Sequence, residues 1–474
     1  MHYKTIGVPR LVLNFAVLSG GEFVSKVFAF VAFAYLARVL GPADFGQLEF
    51  VLAVLFFFTL ISDCGLSPYG AREIAKNRDS VERLTTHIMI VRCLLVAAAL
   101  ALMGIFVSLI DKPWPVRRLV LLYGLTLIGL PGLLPWVFQG HDRMRQVAMA
   151  SILRWSVFSG GVILCIRGPE QIWVVPLIEV IAIGAAVLFY LRAFANSFGS
   201  LRQPVDGPFA LSLLRQALPI GASELVWALK VYFATIFLGL LLLGSEVGWF
   251  AAAHRIVISL HTFVWLYFFS LLPSIARSTQ ALPDALHRLM GTSIQITAWS
   301  AIFIGITGTA FAGQIVALLY GPQYEKAVPV FQVLIWLIPL ALMSGHYRYV
   351  LIAYNRQGLE FLTAACGAGL NILLNLYLIP SYGLVGAASA LVSSEALIWA
   401  LAYYCVRRKI APIPIWTHLW RPLVGGMILA SVLYLLSTKI WMAASSAVAV
   451  YCLVVSIMQP ELLTQLRTML ARNR

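Results

Sequence analysis

Residues 14–46 read NFAVLSGGEFVSKVFAFVAFAYLARVLGPADFG, and the fold follows from how this stretch is read. It is apolar and exceeds the roughly 20 residues a helix needs to cross a bilayer, yet it carries Glu22 and Lys26 inside it. Four positions apart, the two charges lie about 40° from each other around a helix, with the acid on the N-terminal side, the favourable order for a local ion pair. Lipid tails offer neither water nor partners, so charges at that depth look into a bundle interior or a wet cavity. That cavity is the expected functional site.

The remaining sequence has the same character. Of 474 residues, 61% are hydrophobic and 11% charged, which leaves more apolar surface than a soluble domain can hide. The expected fold class is an all-α polytopic membrane protein. Net charge is +15, from 34 basic and 19 acidic residues. The basic residues sit in short loops between apolar runs rather than along a stripe, which points to membrane topology and away from nucleic acid. Six cysteines lie in or beside the runs without a CxxC pair, so neither disulfides nor metal are expected. The first apolar run is too long for a signal peptide and leads into further spans, so it should stay as a first helix.

Apolar runs of suitable length give fourteen expected spans: 14–37, 46–63, 86–110, 118–138, 146–166, 172–191, 216–243, 248–272, 290–313, 328–353, 359–379, 383–406, 420–438 and 441–458. With both termini in the cytoplasm, Lys and Arg favour inside over outside loops by about three to one, as the positive-inside rule requires. The longest loop, near 196–215, leaves no room for an extramembranous catalytic domain. An internal repeat is also present. Leu40-Gly41 followed by Gly46 recurs as Leu243-Gly244 followed by Gly248, and Pro68-x-x-Ala71-Arg72 as Pro273-x-x-Ala276-Arg277. Asp142-Arg143 recurs as Asn355-Arg356, and Lys26 as Lys230. These matches keep one order and a near-constant spacing, which predicts two related six-span bundles of the same orientation. The expected divisions are a first bundle over 1–195, a cytoplasmic linker over 196–212 and a second bundle over 213–410. Residues 411–474 supply two further spans and a basic amphipathic tail on the cytoplasmic surface.

Several motifs resemble those of one family: ARVLGPADFG after span 1, GLSPYGAREIAK after span 2, PWVFQGHDRMRQ after span 4, LYGPQYEKAVPVFQVL entering span 10 and YNRQGLE after it. Together they resemble the Wzx-type flippases, the polysaccharide-export branch of the MOP (MATE-like) superfamily. The resemblance implies two six-helix bundles around a central cavity, with two further C-terminal helices. It also implies a substrate, undecaprenyl-diphosphate-linked oligosaccharide, moved from the cytoplasmic to the periplasmic leaflet of a bacterial inner membrane. Alternating access, coupling to H+ or Na+, and membrane lipid and polysaccharide assembly proteins as partners belong to the same expectation. No cofactor is called for.

A diphosphate drawn into low dielectric needs fixed cations. The spans offer Lys26, Arg154, Lys230, Arg255 and Arg348, with Arg92 nearer the inner end of span 3. Arg grips phosphate oxygens as a fork, and Lys acts as a mobile point charge. Trp227, one turn before Lys230, and Trp155, beside Arg154, can stack on sugar faces or simply pack. Glu22, Glu179 and Glu224 are the candidates for ion coupling. Glu224 lies about 120° from Lys230 on a helix and so is not its same-face partner, whereas Glu22 can simply neutralise Lys26. Arg92 and Arg348, near the cytoplasmic face, can equally snorkel or pair within a bundle, and each acid can equally bond to a neighbouring helix, whereas Lys26 and Lys230 sit near mid-span, where snorkelling reaches poorly. Asp63, beside Gly65 and Pro68, reads as a turn or cap residue, and His254 and His261 as packed bundle histidines. A multidrug exporter of the same superfamily would carry cationic cargo and want an acidic cavity. A membrane glycan polymerase would want a sizeable outer loop, and the chain has neither a P-loop nor a GxSxG elbow. The expected activity is therefore not enzymatic.

The orientation is testable. In a cysteine-free background, Glu170→Cys should react with a membrane-impermeant maleimide applied from outside intact cells, and Ser197→Cys should react only after permeabilisation. The reverse pattern would invert the topology.

Overall fold

A computed structural model describes residues 8–199, 201, 203–242, 244–278, 283–413, 415–436 and 440–459; Leu243 of the repeat and the closing 461–474 tail fall outside the described residues. Every regular element among the described residues is helical. The chain groups into two compact units, Met1–Ala251 and Ala252–Arg474. The first holds α1 (Val8–Asp63), α2 (Leu66–Lys76), α3 (Val81–Leu109), α4 (Trp114–Gly124), α5 (Pro135–Gly140), α6 (Met144–Cys165), α7 (Val174–Phe198) and α8 (Gly207–Leu241). Next comes α9 (Ser245–Ser278), which starts in the first unit and ends in the second. The second unit continues with α10 (Pro283–Ala310), α11 (Ala312–Tyr320), α12 (Val328–Leu334), α13 (Leu337–Ala353), α14 (Gln357–Lys409), α15 (Trp416–Leu435) and α16 (Ile440–Met458).

Among the described residues, eleven helices are long and apolar enough to cross a membrane. Two of them are too long for one crossing, because α1 has 56 residues and α14 has 53, against the roughly 20 that fill the hydrocarbon core. Each breaks at a glycine. Gly41 (φ 73°, ψ 171°) separates the spans expected at 14–37 and 46–63, and Gly383 (φ 56°, ψ −130°) falls where 359–379 gives way to 383–406. Positive φ costs glycine nothing, and Pro42 has no N–H to leave unsatisfied after the break. The last of the fourteen expected spans falls on α16, where the apolar stretch Ser446–Met458 is described.

The sequence repeats reappear as repeated local geometry. Gly41 and Gly244 both adopt positive φ, 73° and 66°. Asp142 and Asn355 are two of the three non-glycine residues with positive φ among those described, at 58° and 56°. Their turns close in the same way. The Arg143 N–H donates to the Phe138 carbonyl at 2.8 Å, and the Arg356 N–H to the Leu351 carbonyl, also at 2.8 Å. Asp and Asn are the side chains that best tolerate this left-handed backbone.

The matching glycine turns also meet. A Cβ on Gly46 would lie 2.1 Å from the Gly244 carbonyl oxygen, and one on Gly248 would lie 1.9 Å from that of Pro42. Each turn therefore buries its glycine against the backbone of the other. At the opposite end of the second half of α1, a Cβ on Gly65 would lie 2.5 Å from the Gly221 nitrogen of α8. Between these ends Phe50 of α1 fills the space that a side chain at Gly239 would need. The result is backbone-close packing of α1 on α8.

Two of the quoted motifs form one joint. The apolar face of α2 (Leu66, Tyr69, Gly70 and Ile74) is buried in a cluster with Trp136, Val137 and Phe138 of α5. Gly70 lies against the Trp136 ring and Gly140 against Ala71 and Ile74. In the second unit α15 and α16 dock on α10 through Trp299. Its indole N–H donates to Gln459 Oε1 at 2.5 Å, its carbonyl accepts from the Tyr451 hydroxyl at 2.6 Å, and Gly425 lies against its ring.

Gly46→Ala and Gly248→Ala should each lower thermal stability of the purified protein by several degrees, since overpacking costs about 1–3 kcal/mol. Gly104→Ala, where a Cβ meets nothing within 4 Å, should be neutral or stabilising. Thermal unfolding in detergent checks this contrast.

Candidate functional site

The charged side chains of the spans fall into three groups. In the first, Arg154 of α6 pairs with Glu179 of α7, and its guanidinium lies 5.3 Å from the centre of the Trp155 ring. Glu179 is buried, at 8% exposed, and a carboxylate taken that far from water needs a cation beside it. The Arg154 Nε–H is buried without an acceptor, so this guanidinium has a donor unspent. Tyr190 of α7 is buried within electrostatic reach of both Glu22 and Arg154. Helix α1 comes close to α6 because Gly21 lies against Ala148, where a Cβ would be only 2.4 Å from its neighbour. That contact leaves Glu22 half-buried and Lys26 exposed one turn on. Among the described residues no ion pair joins Glu22 to Lys26, so the local pairing expected from their spacing is not made. Glu22 stands near Tyr190 instead.

The second group lies between the second half of α1 and α8. Phe56 meets Tyr232 at 4.5 Å and Trp227 at 5.9 Å between ring centroids. Trp227 keeps 51% of its surface exposed, and Lys230 is half-buried. Glu224, also half-buried, feels the charge of Asp63. Asp63 caps the start of α2, accepting from the Ser67 N–H at 3.2 Å and the Ser67 hydroxyl at 2.8 Å. It also pairs with Arg92, whose side chain is 3% exposed. Arg92 donates further to Ser67 Oγ and to the Leu133 carbonyl. Arg92 and Asp63 thus tie α1, α2 and α3 together, in keeping with the turn or cap role expected of Asp63.

The third group belongs to the second unit. Arg348 of α13 donates through Nε and Nη2 to one oxygen of Glu360, at 3.0 and 2.5 Å. Glu395 of α14, 3% exposed, accepts from the Ser344 hydroxyl at 2.6 Å, and its charge reaches Arg348. Arg255 is half-buried on α9.

Sequence reading missed two uncharged networks in this unit. His346 is fully buried: its Nδ1 lies 2.7 Å from the Leu342 carbonyl, to which it must donate, and Nε2 lies 2.8 Å from Ser293 Oγ. Ser293 in turn lies 2.6 Å from the Tyr267 hydroxyl, a chain drawn from three helices with no local signature. The other network, Asn371 and Asn375, did have a signal in two amides one turn apart inside an apolar span. Asn375 Nδ2 donates to the carbonyl and side-chain oxygens of Asn371 at 2.8 and 3.0 Å, while Asn371 Nδ2 and Asn375 Oδ1 remain buried without partners.

Such an arrangement suits a transporter: apolar helices carry basic side chains, and among the described residues the guanidiniums of Arg92, Arg154 and Arg348 are held by carboxylates from a neighbouring helix. Comparison with known proteins agrees. The chain is similar over 86% of its length to the putative O-antigen transporter of Escherichia coli (strain K12), at 23% identity and covering 99% of that protein. A shorter similarity, 28% identity over 206 residues, spans 42% of this chain and 43% of the probable flippase AglR of Haloferax volcanii. In fold the chain resembles the lipid II flippase MurJ in an inward closed conformation, with a TM-score of 0.75 at 13% identity, covering 94% of this chain and 100% of that one. It also resembles an inward-facing multidrug-resistance MATE transporter of the MOP superfamily, with a TM-score of 0.66 at 13% identity over 81% of this chain and 94% of that one. Residues 11–279 match the family described as polysaccharide biosynthesis protein, and the chain, a multi-pass membrane protein with the fold of the MOP transporters, belongs to that family.

Proposed function

We propose that this protein is a flippase that carries oligosaccharide linked to undecaprenyl diphosphate from the cytoplasmic to the periplasmic leaflet of a bacterial inner membrane, by ion-coupled alternating access. Family membership and full-length similarity to a protein named as a putative O-antigen transporter support the cargo class. The observation that carries the reading is Lys26, a lysine on an apolar span, exposed and with no carboxylate at ion-pair distance among the described residues. An unpaired ammonium inside a membrane span is costly unless it meets water or an anion. Lys26 and its repeat counterpart Lys230 are assigned to the diphosphate, with Arg154, Arg255 and Arg348 as further cationic contacts and Trp227 as a face for a sugar ring. Basic side chains of this kind favour anionic cargo over the cations of a multidrug exporter.

The paired guanidiniums supply a means of coupling. A carboxylate and a diphosphate compete for the same Arg154, so protonation of Glu179, or its engagement by sodium, removes the competitor and turns the guanidinium toward the substrate. Glu22 and Glu224 are the other acids assigned to coupling, through the same exchange of a carboxylate charge for a bound cation. Each proton moved down a 100 mV potential supplies about 2.3 kcal/mol.

The double variant Lys26→Ala, Lys230→Ala should reduce polysaccharide export at least tenfold at unchanged protein level, since a hydrogen bond to a charged group contributes about 1.5–3 kcal/mol. The lipid-linked precursor should accumulate on the cytoplasmic leaflet, and undiminished export would overturn the assignment of both lysines. Glu179→Gln should still bind the lipid-linked substrate but lose the dependence of transport on the pH gradient in reconstituted vesicles. Transport that still follows the gradient would remove Glu179 from the coupling step.

A further inference from the structure

One feature of the first unit has no part in the transport reading. A groove of about 460 Å³ lies between α6 and α7, lined by Leu153 of the first helix and by Ala185, Leu188, Phe189, Arg192, Ala193 and Asn196 of the second. The six α7 positions recur at intervals of three and four, so they form one stripe on one helix face. From Ala185 to Asn196 the stripe is about 16 Å long at 1.5 Å per residue, close to half of the roughly 30 Å hydrocarbon core. The groove is therefore as long as one leaflet is thick.

Its two ends differ in chemistry. At one end are Ala185, Leu188 and Leu153, with Leu188 58% and Leu153 36% exposed. At the other are Arg192 and Asn196, both exposed, next to the linker. Arg192 has no acidic partner among the described residues. The facing helix repeats this polarity. Arg145, Met149 and Leu153 follow one another at intervals of four on α6, all exposed, with Arg145 in its first turn. Because α6 and α7 are consecutive antiparallel helices, the first turn of α6 and the last turn of α7 lie at the same membrane face. Two arginines and an amide thus mark the headgroup level, above apolar walls one leaflet deep.

We infer that this groove binds one anionic phospholipid of the leaflet on the linker side, its phosphate held by Arg192, Asn196 and Arg145 and one acyl chain lying along Leu188, Ala185 and Leu153. None of the assigned diphosphate contacts lines the groove, and its ligand is a resident lipid and not the cargo. Charge selects the lipid and the apolar walls hold it. Each basic residue at the membrane surface should favour an acidic over a zwitterionic headgroup by about fivefold.

The test uses the full-length purified protein, exchanged into micelles that contain equal amounts of phosphatidylglycerol and phosphatidylcholine. Co-purifying lipid is quantified by mass spectrometry. The unaltered protein should retain phosphatidylglycerol at least fivefold over phosphatidylcholine. Arg145→Gln combined with Arg192→Gln should bring that ratio close to one, and Leu188→Trp, which fills the groove, should reduce retention of both lipids. Equal retention of the two lipids by the unaltered protein, or full selectivity in the double glutamine variant, would overturn the inference. If the double variant does not fold, Leu188→Trp decides alone, because unchanged phosphatidylglycerol with the groove filled would place the lipid elsewhere. No step of the measurement requires transport, so its failure and that of the flippase reading are distinguishable.

Discussion

Inside hydrocarbon a peptide group has no water to fall back on, and the fold is organised by the requirement that every backbone N–H and C=O be satisfied within the protein. Helices meet the requirement by themselves, but the chain must still turn between them. It turns where the backbone can leave the helical region cheaply: at Gly41, Gly65, Gly244 and Gly383, and at Asp142 and Asn355. These same positions set how closely helices approach. Because Gly46, Gly65, Gly221 and Gly248 lack a Cβ, the second half of α1 meets the turn into α9 at one end and α8 at the other, backbone to backbone. The pairing of the two glycine turns is reciprocal, each burying its glycine against the backbone of the other.

Low dielectric also governs the side chains. A guanidinium removed from water is tolerated when a carboxylate and hydrogen-bond acceptors surround it, and removal of one partner from such a pair costs about 3–5 kcal/mol. Arg92 is held by Asp63, Ser67 and the Leu133 carbonyl and joins three helices as a tie, with its Nε–H, like that of Arg154, buried without an acceptor. Arg154 and Arg348 are held by a carboxylate from the following helix, and Arg154 has a donor to spare. What separates these cations is exposure, 3% for the Arg92 side chain against 31% for Arg154 and Arg348, and Lys26, exposed on its span, lies at the far end of the scale.

The motifs that carry the family resemblance have a physical content of their own. GLSPYGAREIAK and PWVFQGHDRMRQ look unrelated in sequence, but α2 and α5 are built from them and interlock through Gly70, Trp136, Gly140 and Ile74. The joint lies just before the turn into α6. Gly140 cannot carry a side chain without striking Ala71 and Ile74.

That the chain is an all-helical, multi-pass membrane protein was legible in the sequence by itself, since transfer of apolar runs into lipid depends on local composition and length. The glycine breaks in α1 and α14, the repeated turns at Asp142 and Asn355 and the cap role of Asp63 were legible for the same reason: each is a local preference of one or a few residues. Partners from distant segments were settled only by tertiary structure. Spacing pointed to Glu22 as the neighbour of Lys26, yet Glu22 stands near Tyr190, and Arg154 takes Glu179 as its partner. The Tyr267–Ser293–His346 chain and the groove along α6 and α7 are equally invisible in one dimension, because each is assembled from helices whose rotation is set by packing. Helical period says which residues share a face, and only the neighbouring helix determines what that face meets.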